Sequence, residues 1–183
     1  MTTNHLPPLA LLTMAIVSIL VGGWSGLNQI QMRKIMAFSS IAHLGWMMAI
    51  LTVSQKLTIL TLMIYMMMTS SLFLVMISTS TKTFKDMSQL WTTSPTLTTT
   101  CMLTLMSLGG LPPLIGFLPK WLILKELTNN HLILTAIIMA ILSLLSLMFY
   151  MRLTYTATLT ISPNTTNSMM KWRFKPTNIT TPT

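Results

Sequence analysis

Acidic side chains are almost missing from this chain. Two Asp or Glu residues stand against eleven Lys or Arg in 183, and only 7% of the residues are charged. A soluble domain carries about 25%, so there is too little charge here to cover a surface facing water. Cysteine is nearly as scarce. The single Cys101 excludes an internal disulfide and any cysteine-ligated cluster or zinc site built by this chain alone, and it reads as a small packed residue. No pair of His, Cys, Asp or Glu has metal-ligand spacing, no glycine-rich phosphate loop follows a strand, and no nucleophile elbow occurs. The sequence supports neither covalent catalysis nor a bound cofactor, metal or redox centre. The first ten residues, MTTNHLPPLA, lack the basic and small-residue pattern of a removable signal peptide, and none is expected.

Apolar residues make up 52% of the chain, and the mean hydropathy is +0.69. They fall in long blocks near residues 6–22, 32–53, 57–78, 95–127 and 132–155, which predicts several membrane spans rather than one buried core. Pro7 and Pro8 suit the first turn of the first helix, and the glycines after residue 21 are expected to end it. Ten-residue alternation of the kind a barrel needs is missing. The expected fold is an all-α integral membrane domain over residues 1–155, with five transmembrane helices, followed by a polar basic tail over 156–183.

Net charge is +9, but the basic residues are sparse, sit mostly at block ends and form no patch interleaved with exposed aromatics. Topology signals and contacts with lipid headgroups, cardiolipin among them, explain them better than nucleic acid does. With alternating spans, one face collects Arg33, Lys34, Lys82, Lys85, Arg152, Lys171, Arg173 and Lys175, offset by Asp86; the other collects Lys56 and the Lys125/Glu126 pair. The richer face is the inner one by the positive-inside rule. Trp24, Trp91, Trp172 and Tyr155 lie near inner span ends and read as an interfacial belt. The 19 methionines are scattered over all blocks and read as packing and lipid-facing residues rather than metal ligands.

The fourth block contains SLGGLPPLIGFLPKWLIL, residues 107–124. As one straight helix the block would measure roughly 50 Å at about 1.5 Å per residue, against a hydrocarbon core about 30 Å thick. Gly109 and Gly110 weaken the helix, Pro112 and Pro113 remove two amide donors, and Gly116 and Pro119 extend the irregular region. Two half-helices broken near 109–119 are expected. Such a link survives in a membrane only where protein or internal water satisfies its backbone, and discontinuous helices are frequent at transport paths. Lys120 begins the second half. It is either a functional intramembrane amine, able to give up its proton as a guanidinium cannot, or a side chain that snorkels to an interface beside a kinked helix. Lys125, next to Glu126 at the helix end, reads as interfacial.

In the second block Lys34, Phe38 and Ala42 share one helical line, and Ser39 and His43 share a neighbouring one. Ser39 and His43 could assist proton movement along a polar stripe; the plainer reading is a histidine hydrogen-bonded across a helix interface. Lys34 is either an inner entrance to a water path or a snorkelling residue. His5 and His131 fall in outer connections and carry no expected role.

Four strings, GGWSGLNQIQMRKIMAFSSIAHLGWMMAIL, LTILTLMIYMMMTSSLF, LMSLGGLPPLIGFLPKWLILKELT and FYMRLTYTATL, together with MMKWRFK near the end, closely resemble the subunit 2 family of mitochondrial NADH dehydrogenase (ubiquinone), respiratory complex I. The resemblance implies an antiporter-like subunit built from two inverted repeats of five helices, each with one broken helix, of which this chain holds the second. It matches Lys120 to the family's proton-transfer lysine. It further implies the mitochondrial inner membrane, the other membrane-arm subunits as partners, and an enzymatic role only as part of the proton-translocating reductase, with NADH, FMN, iron–sulfur clusters and ubiquinone bound elsewhere in the complex. The glutamate and lysines of the first repeat and the last span of the family are not in this sequence, so a fragment or truncated product is expected, the alternative to a proton-translocating subunit being a fragment without independent transport activity.

Two other functional classes stand beside this one: a non-catalytic structural membrane subunit, and a free-standing secondary transporter, which so few intramembrane ionisable groups disfavour. The charge asymmetry generates a direct test. Protease added to inside-out membranes is expected to clip the tail between Lys171 and Lys175, and cleavage only from the opposite side would overturn the orientation.

Overall fold

The structure, a computed structural model, describes residues 8–79, 81, 83, 86 and 95–159. Six helices occur among them: α1 (Pro8–Leu27), α2 (Met32–Leu51), α3 (Gln55–Thr79), α4 (Pro95–Gly109), α5 (Phe117–Asn129) and α6 (Ile133–Leu159). The described residues form no strand; a single isolated bridge joins Gln31 to Thr83. Helices α1, α2, α3 and α6, of 20, 20, 25 and 27 residues, are each long and apolar enough to cross a membrane. Helices α4 and α5, of 15 and 13 residues, are too short to do so alone, since about 20 residues are needed.

Several boundaries differ from the sequence expectation. Helix α1 runs to Leu27 rather than stopping near 22, because Gly22, Gly23 and Gly26 are packing surfaces inside it. A Cβ on Gly22 would come 2.7 Å from the Phe38 carbonyl of α2, one on Gly23 2.8 Å from Leu145 Cβ of α6, and one on Gly26 3.0 Å from the Phe149 ring. Gly45 of α2 answers from the other side, where a Cβ would meet Ile19 Cγ1 at 2.7 Å and the Ala15 carbonyl at 2.9 Å. Ser18, Gly22 and Gly26 thus form a small-residue stripe that lets helix backbones approach closely, the usual source of attraction where lipid removes the hydrophobic drive. Helix α6 continues to Leu159, so residues 156–159 are helix rather than tail. Lys82, Lys85, Trp91, the tail with Lys171, Trp172, Arg173 and Lys175, and His5 lie outside the described residues.

Near the end of α6 the Arg152 guanidinium donates to the carbonyl of Leu27, the last residue of α1, at 2.8 Å, a cation meeting the negative end of a helix. This sets α1 and α6 parallel and brings Arg152 to the end of the bundle where α2 begins with Arg33 and Lys34. Trp24 and Tyr155 are exposed at that same end. At the opposite end Lys125 lies over the Trp121 ring, 5.9 Å from its centroid.

The interior divides into two apolar layers. One joins the first turns of α2, the end of α3, α4 and the second half of α6 through Met32, Leu72, Leu105 and Leu153. The other joins the start of α1, the end of α2, α5 and the first half of α6 through Ile19, Ile50, Ile123 and Met139. The break between α4 and α5 falls between them. Outer surfaces are apolar as well: Ile59, Met63, Met67, Leu74 and Ile77 of α3 are exposed. Methionines accordingly serve both roles expected of them, Met32 and Met139 buried, Met63 and Met67 outward. Helical Ser and Thr hydroxyls donate to carbonyls three or four residues back, as Thr61 does to Thr58 and Ser143 to Ala140, which hides their hydrogens from hydrocarbon.

Helix α5 closes on His131 with φ of 61°. Its amide donates to Thr128 and that of Leu132 to Leu127, a Schellman ending with the left-handed position held by a histidine. Replacing Gly45 with Ala is expected to destabilise the protein by about 1–3 kcal/mol through overpacking, whereas His131→Gly should be neutral or stabilising by up to about 1 kcal/mol. Thermal melting in mild detergent checks both; an unchanged melting temperature for Gly45→Ala would refute the close α1–α2 approach.

Candidate functional site

A helix that ends among packed apolar side chains must find partners for its last carbonyls. Helix α4 does so in three ways. Gly110 has φ of 86°, and its amide donates to Ser107 while that of Leu111 donates to Met106, at 2.9 and 3.5 Å. The Lys120 Nζ donates to the Gly109 carbonyl at 2.9 Å. The lysine is therefore the cap of the half-helix that precedes its own, a cation on a negative helix end.

Most amides of the link over residues 110–116 have partners as well. The Leu114 amide donates to Leu111, Phe117 to Leu114 and Leu118 to Ile115, and the Gly116 amide donates to the Ser107 hydroxyl at 3.1 Å. Pro112 and Pro113 carry no amide hydrogen, so two donors that this link would have to satisfy do not exist. The irregular stretch is shorter than expected from the sequence. Gly109 is still helical, and Pro119 sits in the first turn of α5, where a missing donor costs nothing. The three glycines also differ. A Cβ on Gly116 would overlap the Ser107 carbonyl and lie 2.7 Å from its carbon; one on Gly110 would come 2.9 Å from Lys120 Nζ; one on Gly109 would make ordinary contact with Tyr150 at 3.5 Å.

Lys120 projects between two pockets. The larger has about 30 Å³ open to the centres of water-sized molecules and is lined by His43, Thr61, Tyr65, Met68, Gly116 and Lys120, among others. One water needs about 10–15 Å³, so about two fit. Here the His43 ring packs on that of Tyr65, centroids 4.7 Å apart and tilted by 34°. The smaller pocket is lined by Ser39, His43, Ser146, Tyr150 and Lys120 together with apolar residues, and its packing leaves no room for a water centre. Ser39 is buried and donates to the Met36 carbonyl at 2.8 Å.

Of the residues singled out in the sequence, Lys120, His43, Ser39, Gly109, Gly110, Gly116 and Pro119 meet in this one layer, whereas Pro112 and Pro113 are exposed on the link. Lys34 does not join them; it is exposed in the first turn of α2. Sequence reading missed Ser107, whose hydroxyl ties the two half-helices together, and the tyrosines Tyr65 and Tyr150. A serine two residues before Gly-Gly was the visible signal for the first. The tyrosines had none, because their partners come from α2 and α4.

Residues 6–146 match the family model described as the membrane region of NADH:quinone oxidoreductase/Mrp antiporters, and residues 147–183 match the one for the C-terminus of NADH dehydrogenase subunit 2. Among curated proteins, the chain is 55% identical over 170 residues to NADH-ubiquinone oxidoreductase chain 2 of Equus asinus, covering 93% of this chain and 49% of that protein. It is 52% identical over 175 residues to the Sus scrofa protein of the same name, covering 96% and 50%. The chain thus spans about half the length of the curated relatives it matches. Respiratory complex I from Thermus thermophilus with bound aureothin contains a chain that superposes with a TM-score of 0.73 at 28% identity, over 82% of this chain and 36% of that one. The Mrp complex from Dietzia sp. DQ12-45-1b shares the fold, with a TM-score of 0.70 at 20% identity over 80% and 29%.

The glycine geometry separates two neighbouring substitutions. Gly110→Ala is expected to cost about 1–2 kcal/mol from the left-handed backbone alone and to push Lys120 off the Gly109 carbonyl, while Gly109→Ala should be tolerated. Melting temperatures of the two variants check this, and equal values would count against the lysine-capped break.

Proposed function

The chain belongs to the NADH:quinone oxidoreductase/Mrp antiporter membrane family, and from that premise we propose that it is part of a proton-translocating membrane-arm subunit of respiratory complex I. Electron transfer from NADH to ubiquinone then takes place elsewhere in the assembly, with FMN and iron–sulfur clusters held by other subunits. The working location is the mitochondrial inner membrane, among the other membrane-arm subunits and lipid. Helices α4 and α5 together make one discontinuous span, which brings the number of spans to five and the repeat to that of an antiporter-like half.

The observation that carries this reading is the Lys120 ammonium on the Gly109 carbonyl beside a cavity large enough for water. Two opposing terms act on it. The carbonyl and the end of α4 favour the charged amine, by about 0.3–2 kcal/mol for the helix end. The apolar layers above and below disfavour it by desolvation. The balance is open to outside control: a unit charge arriving about 8 Å away contributes about 2 kcal/mol at an effective dielectric near 20, enough to change the proton occupancy ratio about thirtyfold. His43, stacked on Tyr65 in the same cavity, assists by ordering water near the amine. Ser39 lines the other side, and Lys34 serves an inner approach.

A purely structural subunit is the second reading, favoured by the small-residue contacts of Gly22 and Gly45. Two substitutions separate the readings in the full-length subunit. Lys120→Met keeps length and apolar bulk without a titrating group; Lys120→Arg keeps a charge that does not come off. Both are expected to depress NADH-driven proton uptake by vesicles, normalised to assembled complex, and full uptake by Lys120→Arg would reject a proton-carrying lysine.

A further inference from the structure

Tyr150 is the bulkiest of the fully buried side chains among the described residues. Its ring packs against Phe149, centroids 4.4 Å apart, and against Gly109, the residue whose carbonyl holds Lys120. Its hydroxyl is enclosed and meets no hydrogen-bond partner among the described residues. Ser39 lines the same pocket but lies outside hydrogen-bonding geometry with the phenol and gives its hydrogen to the Met36 carbonyl. An unpartnered buried hydroxyl costs about 1–3 kcal/mol. Phenylalanine would fill the same space without that cost, so packing alone does not account for a tyrosine here.

The smaller pocket supplies a use. Its serines, Ser39 and Ser146, spend their hydrogens on the Met36 and Ser143 carbonyls at 2.8 and 2.7 Å, and turn only lone pairs to other groups. Tyr150 has both a hydrogen to give and an oxygen to receive one. Lys120, on the same pocket wall, has two N–H bonds beyond the one on Gly109. The layer thus holds the lysine between a cavity roomy enough for water on the α2–α3–α5 side and a tyrosine pocket on the α2–α6 side.

We propose that the Tyr150 hydroxyl is a proton relay for Lys120 on the α2–α6 side, an inference that rests on the proton-carrying role of Lys120. In the step, the ammonium leaves the Gly109 carbonyl and gives one proton to the phenol oxygen. The phenol hydrogen passes to a water molecule that enters the space the lysine vacates, held by the Ser39 oxygen. Tyrosine is neutral before and after, and one proton has moved from amine to water. While the ammonium stays on Gly109 the pocket is too tight for that water, so the relay opens only as the lysine swings. A leak between the two sides of the lysine is thereby blocked.

The test is Tyr150→Phe in the full-length subunit within assembled complex, beside Lys120→Met. Proton uptake per NADH oxidised is read in vesicles, and melting temperature on the purified complex. A relay predicts that Tyr150→Phe keeps or raises the melting temperature while uptake drops to the Lys120→Met level. Wild-type uptake by Tyr150→Phe with impaired uptake by Lys120→Met overturns the relay and leaves the lysine's role standing. Normal uptake by Lys120→Met overturns that role, and the relay with it. A lowered melting temperature for Tyr150→Phe shows a structural partner for the hydroxyl and also overturns the relay.

Discussion

The bond between the Lys120 ammonium and the Gly109 carbonyl solves two problems that neither residue solves alone. A half-helix ending between apolar layers has carbonyls that apolar packing cannot satisfy, and a lysine in the same layer has a charge that it cannot solvate. Joined, the two offset much of each other's cost. Much of the surrounding geometry follows. Gly110 takes the left-handed turn that ends α4 and must be bare because the lysine stem lies against it, and Gly116 must be bare because the link folds back onto Ser107. The prolines between them reduce the number of donors left to satisfy.

The same bond is soft. A carbonyl is a neutral partner, so the proton on the amine is held by a dipole and not by a counter-charge. A carboxylate in its place would lock the ammonium far more firmly. The nearer of the two acidic residues in sequence, Glu126, lies more than a turn further along α5. Under the proposed proton-carrying role, a weakly held proton between two unequal pockets suits transfer, whereas a purely structural cap gains nothing from it.

Around this layer the bundle is held together by different means. The apolar clusters on either side have ordinary side-chain packing, but α1 reaches α2 and α6 through glycines, with backbone against backbone or ring. Close approach of this kind tolerates little displacement. In a frame closed by such contacts, the proposed swing of the lysine would not require the helices to move.

The amino-acid sequence by itself determined the solvent of the protein, since 7% charge and long apolar blocks are incompatible with water. It determined the place of the helix break and the exceptional lysine beside it, because Gly and Pro act through their own backbones and charge is rare enough in such a chain to stand out. Ser39 and His43 were legible as one helical stripe for a similar reason, their spacing being local. Local rules misled at the glycines after residue 21, which look like a helix end and are an interface; only the approach of α2 and α6 gives them that meaning. The tertiary structure alone decided what Lys120 touches, that Ser107 joins the half-helices, that Tyr65 and Tyr150 flank the layer, and that Lys34 stays apart. Each of these depends on a residue from another helix, and an amphipathic signal is faint where both lipid and core are apolar. What a helix shows to lipid and what it shows to its neighbours then look alike in sequence, and packing has to choose between them.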